Sequence, residues 1–127
     1  RCTSRGLGDV YKRQIFKSAL KAVEILEKDG IFCELIDLRT VRPLDIDTIV
    51  ESVKKTNRLV ILEEAWPFGN VSTEIAYQVQ DIAFDYLDAP IQKINTADTP
   101  APYSPVLLKE WLPNHEDVIR SVKKVLN

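Results

Sequence analysis

The sequence contains little glycine, histidine or cysteine, and each shortage argues against one kind of site. Two glycines, Gly30 and Gly69, lie in residues 15–127, so a glycine-rich phosphate-binding loop is not expected. His115 is the one histidine and has no companion at metal-ligand spacing, so we expect no metal site. Cys33 is the one cysteine of this region; we expect it to be buried, and a single thiol indicates a reducing compartment.

Long apolar runs and an excess of positive charge are also absent. No run approaches the roughly 20 apolar residues that span a bilayer, so a membrane is not an expected partner. The 127 residues carry 17 basic and 19 acidic side chains, a net charge of -2. Residues 15–127 carry 13 basic and 18 acidic side chains, and their net charge of -5 disfavours nucleic acid as a partner. An acidic surface is instead suited to a basic protein partner.

Residues 1–14 differ from the rest of the chain. They are basic within an acidic chain and show the period of neither a helix nor a strand. Residues 9–14 (Asp-Val-Tyr-Lys-Arg-Gln) can be encoded by the end of a transposase adapter used in DNA sequencing libraries. We therefore interpret residues 1–14 as translated adapter, with a disordered basic tail as the alternative. The predicted domain is residues 15–127.

The remaining sequence alternates helical and strand patterns. Apolar spacing and caps predict helices over residues 17–29, after Asp45, after Asn70, over residues 106–112 and after Asn114. The predicted inward side chains include Leu20 in the first of these helices and Ile82 in the third. Strands are predicted over residues 31–38, 59–62 and 91–94. This order predicts an α/β domain of three layers, in which a mainly parallel sheet carries helices on both faces.

Acidic residues follow the second predicted strand. Glu63 and Glu64 lie at the sheet edge where ligands gather in parallel α/β domains. Neighbours in a strand point to opposite faces, so these carboxylates do not converge on one atom. We expect one to cap a backbone or pair with Arg39 or Arg42 and the other to be solvated, with an interface contact as the alternative.

Three aromatic side chains lie in proline-rich turns, namely Trp66, Phe68 and Tyr103. Such residues are favoured anchors of interfaces, and packing over the sheet ends is the alternative. We expect His115 to be exposed at the start of the last helix. No serine has the setting of a nucleophile elbow. We therefore assign no catalytic, cofactor-binding or metal-binding residue.

Several segments in combination resemble the carboxy-terminal domain of the beta subunits of thiamine-dependent 2-oxo acid dehydrogenases. Residues 38–45 (Leu-Arg-Thr-Val-Arg-Pro-Leu-Asp) are shared loosely across transketolase-like carboxy-terminal domains. The more specific segments are residues 55–58 (Lys-Thr-Asn-Arg), 66–67 (Trp-Pro), 84–90 (Phe-Asp-Tyr-Leu-Asp-Ala-Pro) and 98–103 (Asp-Thr-Pro-Ala-Pro-Tyr). These segments look like those of the pyruvate enzymes. Branched-chain relatives would carry glycine in place of Asn57 and histidine in place of Tyr103.

The resemblance implies a transketolase C-terminal-like fold that lacks its first strand. In the family an apolar strand precedes the first helix, and residues 1–14 stand in its place here. We therefore expect a sheet with an exposed edge. The implied parent is a heterotetrameric pyruvate dehydrogenase, which decarboxylates pyruvate and transfers the acetyl group to lipoyl groups. Thiamine diphosphate and magnesium lie outside this domain in the family, so we expect this chain alone to be inactive.

The resemblance also implies partners. They are the dehydrogenase alpha subunit, a second beta subunit and the subunit-binding domain of the dihydrolipoyl acyltransferase. The family's docking acid matches Asp88, and its carboxy terminus, here Leu126 and Asn127, takes part in the same contact. The implied compartment is the bacterial cytoplasm or the mitochondrial matrix.

Three alternatives stay open. The first is the beta subunit of a branched-chain 2-oxo acid or acetoin dehydrogenase. The second is the carboxy-terminal domain of a transketolase or deoxyxylulose-phosphate synthase. The third is a freestanding α/β interaction module.

Overall fold

The computed structural model describes residues 12–127, with side chains from residue 15 onward. The elements are α1 (Lys12–Lys28), α2 (Ile46–Thr56), β1 (Val60–Leu62), α3 (Val71–Ala83), a 3-10 helix (Phe84–Tyr86), β2 (Gln92–Ile94), α4 (Pro105–Trp111) and α5 (His115–Leu126). Helix α1 begins inside the segment that we interpreted as translated adapter, with a disordered tail as the alternative. The interpretation of residues 1–11 falls outside the described residues and stays a prediction.

Side-chain caps start three of the helices at the predicted residues. The Asp45 carboxylate accepts the Thr48 amide at 3.2 Å at the start of α2. The Asn70 side chain accepts the Thr73 amide at 3.0 Å at the start of α3. Asn114 forms a reciprocal capping box with the third residue of α5. Each cap satisfies an amide that has no partner within its own helix, so these three helix starts are confirmed.

The sheet of the described chain has two parallel strands. Val60 lies opposite Gln92, and Leu62 lies opposite Ile94. The strand predicted over residues 31–38 is wrong, because none of these residues is assigned to a strand. The alternation of apolar residues in this segment still matches the way its side chains pack.

Helices cover both faces of the sheet and enclose two core clusters. The first core cluster comprises Ile15, Ala19, Ala22, Leu26, Val60, Leu62, Ile94, Leu112, Val118, Val122 and Val125. The second core cluster comprises Leu38, Ile49, Val50, Val53, Leu59, Ile61, Ile75, Val79 and Ala83. Successive β1 residues enter opposite clusters, as the period of a strand requires. The predicted three-layer α/β fold is confirmed.

The 31–38 segment packs against both core clusters. Ile31, Cys33 and Leu35 pack against the first core cluster at every second position, and Leu38 belongs to the second. The apolar pattern thus identified which side chains are covered. It did not identify strand pairing, because ladder hydrogen bonds depend on a neighbouring strand that the pattern of one segment does not specify.

Two inward-facing predictions are wrong. Leu20 is exposed, because the buried stripe of α1 follows Ala19, Ala22 and Leu26. Ile82 is 53% exposed, because the buried row of α3 continues at a spacing of four residues to Ala83. Within residues 12–127, no helix has the combined length and apolarity that crossing a bilayer requires.

Candidate functional site

The residues predicted to contact partners divide between the two ends of the sheet. We call residues 63–70 and 95–103, which follow β1 and β2, the carboxyl edge. We call residues 56–59, 86–91 and 125–127 the amino edge. They lie at the beginnings of the strands and at the end of α5. The carboxyl edge holds Glu63, Glu64, Trp66, Phe68 and Tyr103, and the amino edge holds Asp88, Leu126 and Asn127.

At the amino edge, one guanidinium links Asp88 to the end of α5. The Arg58 Nη1 lies 3.7 Å from the Asp88 Oδ2, and the Arg58 Nε donates to the Val125 carbonyl at 2.7 Å. The Asp88 side chain is 58% exposed, and Leu126, which follows Val125, is also exposed. The fold therefore brings the three residues predicted to bind a partner to one end of the molecule.

The backbone beside this ion pair is fixed by a left-handed residue. Asn57 has φ 60°, ends α2, and donates from its Nδ2 to the Tyr86 carbonyl at 2.8 Å. The Asp88 amide in turn donates to the Asn57 carbonyl at 2.9 Å. The Lys54 ammonium lies 5.3 Å from the centre of the Tyr86 ring, within the range of a cation–π contact.

Sequence reasoning missed the part that Arg58 plays here. Arg58 was noted only within the 55–58 segment that carries the resemblance. Its partner Val125 lies 67 positions away in the sequence, so no local spacing connects the two. A polar residue directly before a buried strand was the only available signal, and that signal does not identify a partner.

At the carboxyl edge, Glu63 caps a helix. Its amide donates to the Ile94 carbonyl at 2.9 Å, and its Oε2 accepts the Ser72 amide at 2.8 Å in the first turn of α3. A carboxylate is favoured there by the positive end of the helix dipole. The expectation that one of the two carboxylates caps a backbone is confirmed for Glu63, and the guanidinium of the alternative partner Arg39 lies 3.1 Å from Asp37 instead.

The other carboxylate of this pair, Glu64, differs from expectation. Glu64 was expected to be solvated if Glu63 formed the contact, but the residue is partly buried. The backbone next to it is paired, because the Thr96 amide donates to the carbonyl of the following residue, Ala65, at 3.1 Å.

Two indoles converge on one carbonyl of the same edge. The Nε1 atoms of Trp66 and Trp111 both donate to the Thr99 carbonyl, at 3.0 and 2.9 Å. A carbonyl oxygen has two lone pairs and can accept both donors. The bonds tie the turn after β1 to the proline-rich segment after β2 and to α4.

Further hydrogen bonds anchor the turn that presents the aromatics. The Lys93 ammonium donates to the Pro67 carbonyl at 2.9 Å and to the Thr73 hydroxyl at 2.7 Å. The Asn70 side-chain amide donates to the Trp66 carbonyl. Phe68 is nevertheless 91% exposed and Tyr103 is fully exposed. For these two rings, packing over the sheet ends of their own domain is therefore wrong.

The remaining candidates lie elsewhere. His115 is partly buried rather than exposed, and it lines a groove with lysines of α1 and α4. Cys33 is partly buried against the first core cluster, where we expected full burial. Within residues 12–127, no three histidine, cysteine, aspartate or glutamate side chains are grouped so that they could hold a metal ion.

Comparison with known proteins gives one family and a consistent set of relatives. The family model of the transketolase C-terminal domain matches residues 14–118. A pyruvate dehydrogenase E1 component subunit beta from Rickettsia felis is 57% identical over 109 residues, which cover 86% of this chain and 33% of that protein. The subunit of the same name from Rhizobium meliloti is 51% identical over 122 residues, covering 96% of this chain and 25% of that protein.

A plant relative and a solved structure extend the set. The mitochondrial pyruvate dehydrogenase E1 component subunit beta-1 from Oryza sativa is 50% identical over 106 residues, covering 84% of this chain and 28% of that protein. A solved split-gene transketolase, described as an inactive beta4 tetramer, has a TM-score of 0.80 and 26% identity. The match covers 98% of this chain and 39% of the transketolase chain. The chain thus spans between 25% and 33% of the length of these three curated relatives.

Proposed function

The chain belongs to the transketolase C-terminal domain family, and on that premise we propose that it is the carboxy-terminal domain of a pyruvate dehydrogenase beta subunit. The observation that carries this proposal is the 57% identity over 109 residues to a protein of that name. The parent enzyme would oxidatively decarboxylate pyruvate and pass the acetyl group to lipoyl groups.

We assign this domain to assembly rather than to chemistry. Thiamine diphosphate, when bound in the parent, supplies the group that attacks and decarboxylates the 2-oxo acid. Among the described residues, no three histidine, cysteine, aspartate or glutamate side chains are grouped so that they could hold a magnesium ion. Accordingly, no step of the reaction is routed through residues 12–127.

The carboxyl edge suits a lasting contact with the alpha subunit or the second beta subunit. Trp66, Phe68 and Tyr103 are exposed aromatics, and Trp66 is held in place by hydrogen bonds. Aromatic side chains on a fixed turn bury much area at little cost in conformational entropy. We place Glu63 and Glu64 at the border of this contact, since both are only partly exposed.

The amino edge suits the acyltransferase. Asp88 presents an exposed carboxylate beside Leu126 and Asn127, and a basic subunit-binding domain would complement it. Exposed charges of this kind steer association and fix register more than they add affinity. The physical support is the proximity of the three residues, which their positions in the sequence do not provide.

Charge reversal at the amino edge tests the docking role. In the intact beta subunit assembled with its alpha subunit, we expect Asp88→Lys to weaken binding of the acyltransferase subunit-binding domain by about tenfold or more, because like charges then face each other. Pyruvate decarboxylation measured with an artificial electron acceptor should stay unchanged. Calorimetric titration measures the first quantity, and dye reduction measures the second.

A matched control separates position from charge. Glu51→Lys makes the same change of charge on the exposed face of α2 and should leave binding unaltered. If Asp88→Lys binds as tightly as the unmodified enzyme, the docking role of Asp88 is wrong.

The structural neighbour favours a second candidate, the corresponding domain of a transketolase. The full-length enzyme distinguishes the two candidates. A transketolase would transfer two-carbon units between sugar phosphates and bind no acyltransferase, whereas the pyruvate enzyme would reduce the artificial acceptor with pyruvate as substrate.

A further inference from the structure

We propose that Arg58 is a positioning residue of the amino edge, which holds the Asp88 carboxylate and the last turn of α5 in one fixed arrangement for the acyltransferase. The inference rests on the proposed docking function and assigns to it a residue that does not itself need to touch the partner. It follows from the two contacts of one guanidinium, whose partners lie in different segments of the chain.

The geometry uses both sides of the guanidinium. The Nε donates to the Val125 carbonyl at 2.7 Å, while the Nη1 lies 3.7 Å from the Asp88 Oδ2. The Arg58 side chain is only 29% exposed, so the group is largely held within the fold. A planar guanidinium presents its donors in fixed directions, and it can therefore set the separation of two acceptors, which a flexible ammonium does less well.

The backbone contacts leave the side chain of Asp88 as the part that needs positioning. The Asp88 amide is already fixed by its bond to the Asn57 carbonyl. The Arg58 carbonyl accepts the Thr56 hydroxyl at 3.1 Å, which fixes the other side of the same turn. Because the backbones of Arg58 and Asp88 are both fixed, the guanidinium selects among the rotamers of the Asp88 side chain.

The opposite role would be competition, in which Arg58 occupies the carboxylate that a basic partner needs. A carboxylate offers about four lone-pair directions on two oxygens, so Asp88 can accept hydrogen bonds from a partner while its ion pair with Arg58 stays in place. The 3.7 Å separation is a loose contact on one oxygen, and the side chain remains 58% exposed. These features favour positioning, and the two roles predict opposite changes in affinity.

A purely structural role is the remaining alternative, because a cation near the end of a helix stabilises it without any partner. That role would change the unfolding midpoint but not the coupling between Arg58 and Asp88 in binding. A double-mutant cycle on affinity therefore distinguishes positioning from structural support.

The experiment measures the affinity of the subunit-binding domain for the assembled alpha-beta enzyme. We expect Arg58→Ala to weaken binding about fivefold, and the same change in the Asp88→Ala background to weaken it clearly less, since contacting residues couple. Arg58→Lys should recover part of the loss, because it keeps the charge beside Asp88. Decarboxylation with the artificial acceptor should be unaltered in all variants.

Arg120→Ala is the matched control. Arg120 also pairs with an aspartate, Asp117 at 3.4 Å, but on the exposed face of α5, and its removal should leave affinity unchanged. If Arg58→Ala yields no folded enzyme, Arg58→Lys replaces it in the double-mutant cycle and is compared with the unmodified enzyme.

The outcomes separate this inference from the docking proposal. Tighter binding by Arg58→Ala would establish competition and overturn the inference, and so would an equal loss with and without Asp88. If Asp88→Lys weakens binding while Arg58→Ala has no effect, docking stands and positioning fails. If Asp88→Lys has no effect either, the docking proposal itself fails.

Discussion

The two ends of one small sheet are built in different ways. At the carboxyl edge, hydrogen bonds from two indoles, a side-chain amide and the Lys93 ammonium end on backbone carbonyls and hold a turn that exposes aromatic rings. At the amino edge, a guanidinium holds a carboxylate and a helix end, and what it exposes is charge. Aromatic surface suits a lasting contact that buries area, whereas exposed charge suits a partner that must be steered and released.

The difference also concerns stability. A hydrogen-bond network that joins several segments supports the fold directly, because each bond removed leaves a polar group to be hydrated. An exposed ion pair contributes little to stability, because water screens it. We therefore expect mutations at the carboxyl edge to act mainly on folding, and mutations at the amino edge to act mainly on binding.

The largest expected effect is at the cap of α3. Asn70→Ala removes the acceptor for the Thr73 amide and the donor to the Trp66 carbonyl. We expect it to lower the free energy of unfolding by about 2 kcal/mol, the upper end for a lost cap, since a second bond goes with it. Urea unfolding followed by tryptophan fluorescence measures it, because both tryptophans report on this edge.

Two matched variants sharpen this prediction. Asn70→Asp keeps the cap acceptor and loses only the donor, so its loss should be roughly half as large. At the amino edge, Asn57→Gly keeps the left-handed backbone and removes the bond to the Tyr86 carbonyl, and it should cost less than about 1 kcal/mol. Equal losses for Asn70→Ala and Asn57→Gly would contradict the contrast between the edges.

An intermediate effect is expected for the paired indoles. Trp111→Phe removes one donor from the Thr99 carbonyl and part of the packing against the first core cluster, so we expect a loss of about 1 kcal/mol. Trp66→Phe should cost less, because the Trp66 ring is exposed and the Thr99 carbonyl still accepts the bond from Trp111. Urea unfolding followed by circular dichroism measures both, and Tyr103→Ala, at a fully exposed position, should be neutral. A cost for Tyr103→Ala equal to that of Trp111→Phe would show that exposure does not rank these positions.

The smallest effect on stability is expected at the amino edge. Asp88→Ala breaks a loose ion pair of 3.7 Å whose carboxylate is exposed, and it should change the free energy of unfolding by less than about 0.5 kcal/mol. The expected result is an unfolding curve that coincides with that of the unmodified protein at low and high salt. A loss above 1 kcal/mol would mean that the amino edge supports the fold as strongly as the carboxyl edge does.

Local signals in the sequence predicted the elements that depend on nearby residues. Asn70 and Asn114 were recognised as caps because a cap and its amide lie within three residues of each other. Predictions failed where a neighbour had to be known. The 31–38 segment has the alternation of a strand but no strand assignment, and Glu64 was expected to be solvated but is partly buried. The exposure of Phe68 and Tyr103 was likewise left open, because apolarity does not reveal which rings the rest of the chain covers.

The sequence by itself determined the three-layer α/β fold, since apolar period and capping act over one or two turns of chain. It also carried the segments on which the family resemblance depends. Only the tertiary structure decided that Arg58 joins Asp88 to Val125, and that Trp66 and Trp111 share the Thr99 carbonyl. The physical reason is that these partners lie far apart along the chain, up to 67 positions, and meet only when the layers pack.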